Sequence, residues 1–101
     1  MAQTELRRDS ALAVLRKYKQ DFQSRYGVTR IGFFGSVARD EADAESDVDV
    51  VVEMEKPDLF YMVHIQQTLA QEFQRPVDLV RFRDSMNSFL KERIRAEAVY
   101  G

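Results

Sequence analysis

The sequence predicts an α/β (α+β) domain: a small mixed β-sheet of about three strands flanked by helices, in the order α-β-α-β-α-β-α. Two observations carry this reading. Three short runs at 28–34, 47–53 and 76–82 are rich in β-branched and aromatic residues and too brief for helices. Around and between them, apolar residues recur at steps of three and four, the period of one helical face.

The first helix sets Ala11, Leu15, Tyr18, Phe22 and Tyr26 on one face, with Thr4 as its expected cap and Gly27 as its stop. A strand then runs from Val28 through Phe34 into Gly35, and residues 36–41 read as a short helix with Ser36 at its amino end. The small, acidic stretch 42–46 is a loop. The next strand alternates, placing Val48, Val50 and Val52 on one face and Asp47, Asp49, Val51 and Glu53 on the other. Pro57-Asp58 opens a helix whose Leu59, Met62, Val63, Leu69, Ala70 and Phe73 recur at helical steps. The third strand, 76–82, carries Asp78 within an apolar run. From about Met86 the chain is helical again, with Phe89, Leu90, Ile94 and Ala98 inward and Lys91, Arg93 and Arg95 on a solvated row.

The chain has 101 residues, enough for one domain, and its 45% hydrophobic and 32% charged residues suit a folded globule. Residues 1–101 are therefore expected to form a single domain. Fifteen Lys and Arg stand against 17 Asp and Glu, a net charge of -2, which argues against holding a long polyanion such as nucleic acid. The chain contains no Cys and one His, His64, which excludes disulfides, thiolate or multi-His metal sites and a Cys nucleophile. With no apolar stretch near the roughly 18 residues of a membrane span, no membrane association is expected and the cytoplasm is the expected compartment.

Three features carry chemistry. In Asp47-x-Asp49, residues two apart on a strand project from one face, and the two carboxylates lean over the same space. They repel unless a hard cation sits between them; the alternative is that Asp47 ends a loop and Asp49 points to water. Gly35-Ser36, with Arg39 three residues on, stands where a strand ends, and reads either as a phosphate cradle or as a turn with a solvated arginine. Asp78 sits mid-strand, disfavoured by propensity and desolvation, so it either shares a metal with Asp47 and Asp49 or lies on an edge strand that Pro76 would allow.

In this order, Gly35-Ser36-Val37-Ala38-Arg39-Asp40-Glu41 followed by Ser46-Asp47-Val48-Asp49-Val50-Val51-Val52 resembles the signature of the minimal nucleotidyltransferases, within the DNA polymerase beta-like superfamily. The resemblance runs from about Ile31 to Tyr100. It implies that Gly35 and Ser36 contact a triphosphate, with Arg39 helping to neutralise it, and that Asp47, Asp49 and Asp78 hold two Mg²⁺ ions and form the catalytic set. Two such cations stabilise the attacking and leaving oxygens of an in-line displacement. Asp78 would ligate the metal that activates the acceptor and take its proton, or bridge both metals. At Asp40 the chain departs from the pattern, because relatives usually carry Gly there, and the added charge is expected near the triphosphate.

The resemblance further implies an antitoxin that silences a helical HEPN-type RNase toxin by transferring AMP from ATP to a toxin tyrosine, in a hetero-oligomer. Two other readings stay open: neutralisation by binding alone, and transfer to a small molecule such as an aminoglycoside. Phe60 and Tyr61 fall off the main helical stripe and are expected to face a partner. His64 is expected to be a packed or surface residue outside the site.

Overall fold

The computed structural model describes residues 6–101. Its elements are α1 (Arg8–Tyr26), β1 (Val28–Phe34), β2 (Val48–Met54), α2 (Leu59–Phe73), β3 (Val77–Arg81), α3 (Ser88–Glu97) and β4 (Val99–Tyr100). The strands form one mixed sheet in the order β3-β2-β1-β4. β1 pairs antiparallel with both β2 and β4, whereas β2 and β3 are parallel, joined by the crossover helix α2.

The alternation in β2 builds both layers of the core. Val48, Val50 and Val52 are buried with Ala11, Leu15 and Phe22 of α1 and Ile65 and Leu69 of α2. Val51 faces the other way and is buried with Phe34 and Ile94, against which Leu90 and Ala98 of the α3 region pack. α1 ends where expected, at Gly27, whose left-handed backbone (φ 69°) lets its N–H close on Gln23 and Phe22 carbonyls. Asp58 caps α2 by accepting hydrogen bonds from the N–H groups of Phe60 and Tyr61. The Thr4 cap lies outside the described residues.

Several expectations are corrected. Residues 36–41 form turns, not a helix: Arg39 N–H bonds to the Gly35 carbonyl, but Asp40 bonds back to Val37 and Glu41 to Ser36, so no regular ladder develops. The backbone at Asp40 is left-handed (φ 59°), which halts the turn. A fourth strand replaces the tail of the last helix, because Ala98 is already extended and Val99 and Tyr100 pair with Phe33 and Gly32. Phe89 is 88% exposed, a step of about 100° away from the Leu90 and Ile94 stripe. Leu59 and Val63 also point outward, and Ile65 fills the core position instead. Lys91 is not solvated as read but half-buried, its Nζ reaching Asp84. His64 is exposed, its ring parallel to that of Tyr26 at 6.2 Å.

Candidate active site

Strand register gathers the acidic residues. In the parallel β2/β3 ladder Asp49 is the direct partner of Asp78, and paired residues share a sheet face with neighbouring side chains. Their face is the one covered by α3, since Val51 and Val80 two residues on both pack around Ile94. Asp78 is exposed and on an edge strand, as Pro76 allowed. Asp47 is exposed just before β2, at the end of a loop that Arg75 braces by donating to the carbonyls of Asp43 (2.7 Å) and Ser46 (3.1 Å).

Asp49 is half-buried and its carboxyl is held above the ordinary carboxylate range. Burial is the main cause, followed by the negative charge of Asp78; Arg93 opposes the shift, Asp47 adds to it and Arg39 opposes it. Among the described residues no three His, Cys, Asp or Glu side chains form a ready-made metal cage. The donors nonetheless suit Mg²⁺: they are carboxylate oxygens that repel one another, and Mg²⁺ is bound through few carboxylates, keeping waters and taking phosphate oxygens.

Gly35 joins this acidic patch to a basic one. Its backbone is left-handed (φ 73°), and a Cβ here would collide with Asp49 Oδ2. The Gly35 N–H donates to Glu97 Oε1 at 3.0 Å. Arg39 Nη1 lies 3.2 Å from Glu97 Oε2, and its Nε lies 2.9 Å from Glu41 Oε1. Arg93 Nε lies 3.5 Å from Glu97 Oε1, and its guanidinium is stationed 5.6 Å from the Phe34 ring centroid. Ser36 follows, half-buried, its carbonyl closing the turn on the Glu41 N–H.

Gly35, Asp49 and Asp78 are thus brought side by side, with Arg39 linked to them through Glu97. Two residues of this cluster were missed. Arg93 was read as part of a solvated row, and Glu97 was not singled out. Their i, i+4 spacing is the one local signal, and it is shared by many ordinary surface ion pairs.

Asp40 turns away from the cluster. Its Oδ1 accepts the Arg8 backbone N–H at 2.8 Å, satisfying one of the orphan donors of the first turn of α1, where Arg7 provides no side-chain cap. The positive φ is strained for a non-glycine residue, and the helix contact compensates for that strain. Asp40→Ala loses the contact and keeps the strained backbone, so urea denaturation should show a loss of about 1–2 kcal/mol. Asp40→Gly loses the contact but relaxes the backbone and should lie within about 1 kcal/mol of wild type.

Beside Asp78, an open groove of about 310 Å³ is lined by Leu59, Met62, Val63, Gln66, Val77 and Leu79. Leu59 in this lining is 78% exposed and Phe60, next to it in the chain, 77%; Tyr61, 37% exposed, packs its ring 5.1 Å from that of Tyr26. No helix among the described residues is long and apolar enough to cross a membrane.

Comparison with known proteins agrees with this geometry. The chain is 35% identical over 89 residues to the protein adenylyltransferase MntA of Thermococcus cleftensis, covering 87% of this chain and 89% of that protein. A solved structure described as a minimal nucleotidyltransferase superposes with a TM-score of 0.67 at 30% identity, over 87% of this chain and 93% of the other. A chain from the complex of the Shewanella oneidensis HEPN toxin, tri-AMPylated, with its MNT antitoxin superposes with a TM-score of 0.68 over 92% of this chain and 70% of that one; at 21% identity, this likeness speaks for the fold. Residues 15–100 match the family model of the nucleotidyltransferase domain, and with a relative this similar over most of both lengths, the chain belongs to that family.

Proposed function

We propose that this chain is a single-domain, cytoplasmic protein adenylyltransferase of the antitoxin type, which transfers AMP from ATP to a tyrosine hydroxyl of a HEPN-type RNase partner and so neutralises it. The observation that carries this reading is the meeting of Gly35 with Asp49, beside Asp78, because nucleotidyl transfer needs an anion cradle and a carboxylate set within one phosphate of each other. In the reaction the phenol oxygen bonds to the α-phosphorus, the bond from the α-phosphorus to its bridging oxygen breaks, and pyrophosphate leaves with that oxygen.

Gly35, Ser36 and Arg39 bind the phosphates leaving as pyrophosphate. Asp47, Asp49 and Asp78 would hold two Mg²⁺ ions, which supply charge neutralisation at the attacking and leaving oxygens. Asp78, exposed at the sheet edge, faces the incoming acceptor and takes the phenol proton.

The site is open, so the acceptor comes from another molecule. The exposed Leu59 of the groove beside Asp78, with the exposed Phe60 next to it in the chain, forms the docking surface for the partner, which favours a protein acceptor over a polar small molecule. The relative from Thermococcus cleftensis carries the adenylyltransferase activity in its name, and the toxin of the Shewanella oneidensis complex is AMPylated.

Co-expression with a HEPN-type protein from the same genome, followed by intact-mass measurement of that partner, tests the proposal. AMP-sized mass increments that require Mg²⁺ and ATP are expected. Leu59→Asp with Phe60→Asp should abolish copurification of the partner while leaving ATP affinity unchanged. A partner that copurifies unmodified would mean neutralisation by binding alone, and transfer to a free small molecule would overturn the acceptor assignment.

A further inference from the structure

We propose that Glu97 is a resident anion within the phosphate site, displaced when the nucleotide enters, and that Arg93 is a further phosphate ligand of that site. The inference rests on the nucleotide-binding reading above and extends it to two residues at the end of α3.

The Glu97 carboxylate meets three donors from two segments: the Gly35 N–H at 3.0 Å and Arg39 Nη1 at 3.2 Å from the turn after β1, and Arg93 Nε at 3.5 Å from one turn earlier in its own helix. A backbone N–H beside a glycine turn, flanked by two guanidinium groups, is a donor set suited to a phosphoryl group. A carboxylate makes the same contacts with fewer oxygens. The place is also right, because Gly35 abuts Asp49 and Arg93 and Arg39 both act on the Asp49 charge. A phosphate oxygen taking the Glu97 position would lie next to the carboxylates that would bind its counter-cation.

Displacement needs no change of fold. Ala98 is bonded to the Ile94 carbonyl at 2.8 Å and Val99 is paired with Phe33, so the Glu97 backbone is anchored and only its side chain has to swing away. Its side chain is 24% exposed, which leaves a path to solvent. Until then, Glu97 keeps two arginines gathered that would otherwise repel each other, and it competes with any arriving anion.

A purely structural brace would look similar at rest but respond oppositely to neutralisation. Glu97→Gln keeps the shape and an oxygen for the Gly35 N–H while removing the charge, and thermal melting verifies that it folds. Equilibrium binding of inorganic tripolyphosphate and of ATP with Mg²⁺ should be roughly tenfold tighter in Glu97→Gln, the scale of one charge-assisted hydrogen bond no longer surrendered. Arg93→Gln should bind both about tenfold more weakly. Glu92→Gln removes an equal charge from the exposed side of α3, where Glu92 pairs with Arg95, and should leave both affinities unchanged.

Equal or weaker binding by Glu97→Gln would identify a brace and overturn the proposal, as would equal tightening by Glu92→Gln, which would reduce the effect to net charge. If wild type binds ATP but Arg93→Gln binds it equally well, Arg93 is not a phosphate ligand. Absence of binding by wild type and every variant would instead overturn the nucleotide site itself, and this inference with it.

Discussion

Asp49→Asn is expected to abolish AMP transfer, by at least about a thousandfold, while the protein stays folded and still binds its partner. The substitution removes a charge that would help hold the metals, and stabilisation by such ions amounts to several kcal/mol of barrier. Without Mg²⁺ the same charge is a burden on the fold. Asp49 is half-buried, with Asp78 opposite it and Asp47 nearby, and its carboxyl is raised above the ordinary range.

The sign follows from proton binding. Between the ordinary carboxylate value and the raised folded value, the folded state keeps a proton that the unfolded chain has released, so the contribution of this group to stability falls as pH rises through that window. Above the raised folded value the penalty is complete. Melting of the metal-free variant at pH 7 should therefore be no lower than wild type, and its advantage should shrink as pH falls through the window. Intact-mass assay of the partner and metal-free melting across pH check both halves. Undiminished transfer by Asp49→Asn would remove this residue from the chemistry.

Gly35→Ala should cost nearly as much activity for a different reason. The left-handed backbone charges a non-glycine residue about 1–2 kcal/mol, measurable by denaturation. The larger effect is local: the new Cβ collides with Asp49 Oδ2 and lies 3.3 Å from Arg93 Nη2, so the Asp49 carboxylate must move. A displacement of about an ångström at a reacting centre is worth on the order of a hundredfold in rate. Gly35→Asn separates the two effects, because Asn tolerates the left-handed region but still carries a Cβ. Stability should largely return in Gly35→Asn, and activity should not. Recovery of activity together with stability would show that backbone strain alone was at work.

Much of this fold was legible because its elements obey simple periods. The alternation of 47–53 assigned the two faces of β2 correctly, and Gly27 and Asp58 marked helix ends through their own backbone and capping chemistry. Short elements escaped. Val99 and Tyr100 are too few to show a period, and their strand exists because β1 offers an open edge for pairing. Residues 36–41 carry helix-compatible side chains, but the left-handed backbone at Asp40 interrupts the turn, and nothing local marks that position. Phe89, Leu59 and Val63 were misplaced because an apolar residue near a helical stripe reads as inward until the packing partner fixes the angle of the face.

The sequence by itself determined the chemistry available: a glycine and serine at a strand end, an arginine after them, two carboxylates with a period of two and a third on a later strand. Only the tertiary structure decided which of these meet. Register across separate strands set Asp78 opposite Asp49, and the close approach of β1 and β2 pressed Asp49 against Gly35. Packing of α3 brought Arg93 and Glu97 from the end of the chain into the same space, a contact spanning 62 residues from Gly35. Local spacing reports which side chains share a strand or helix face. It does not report strand register or the angle at which a helix docks, because both are settled by burial of surface across the whole core.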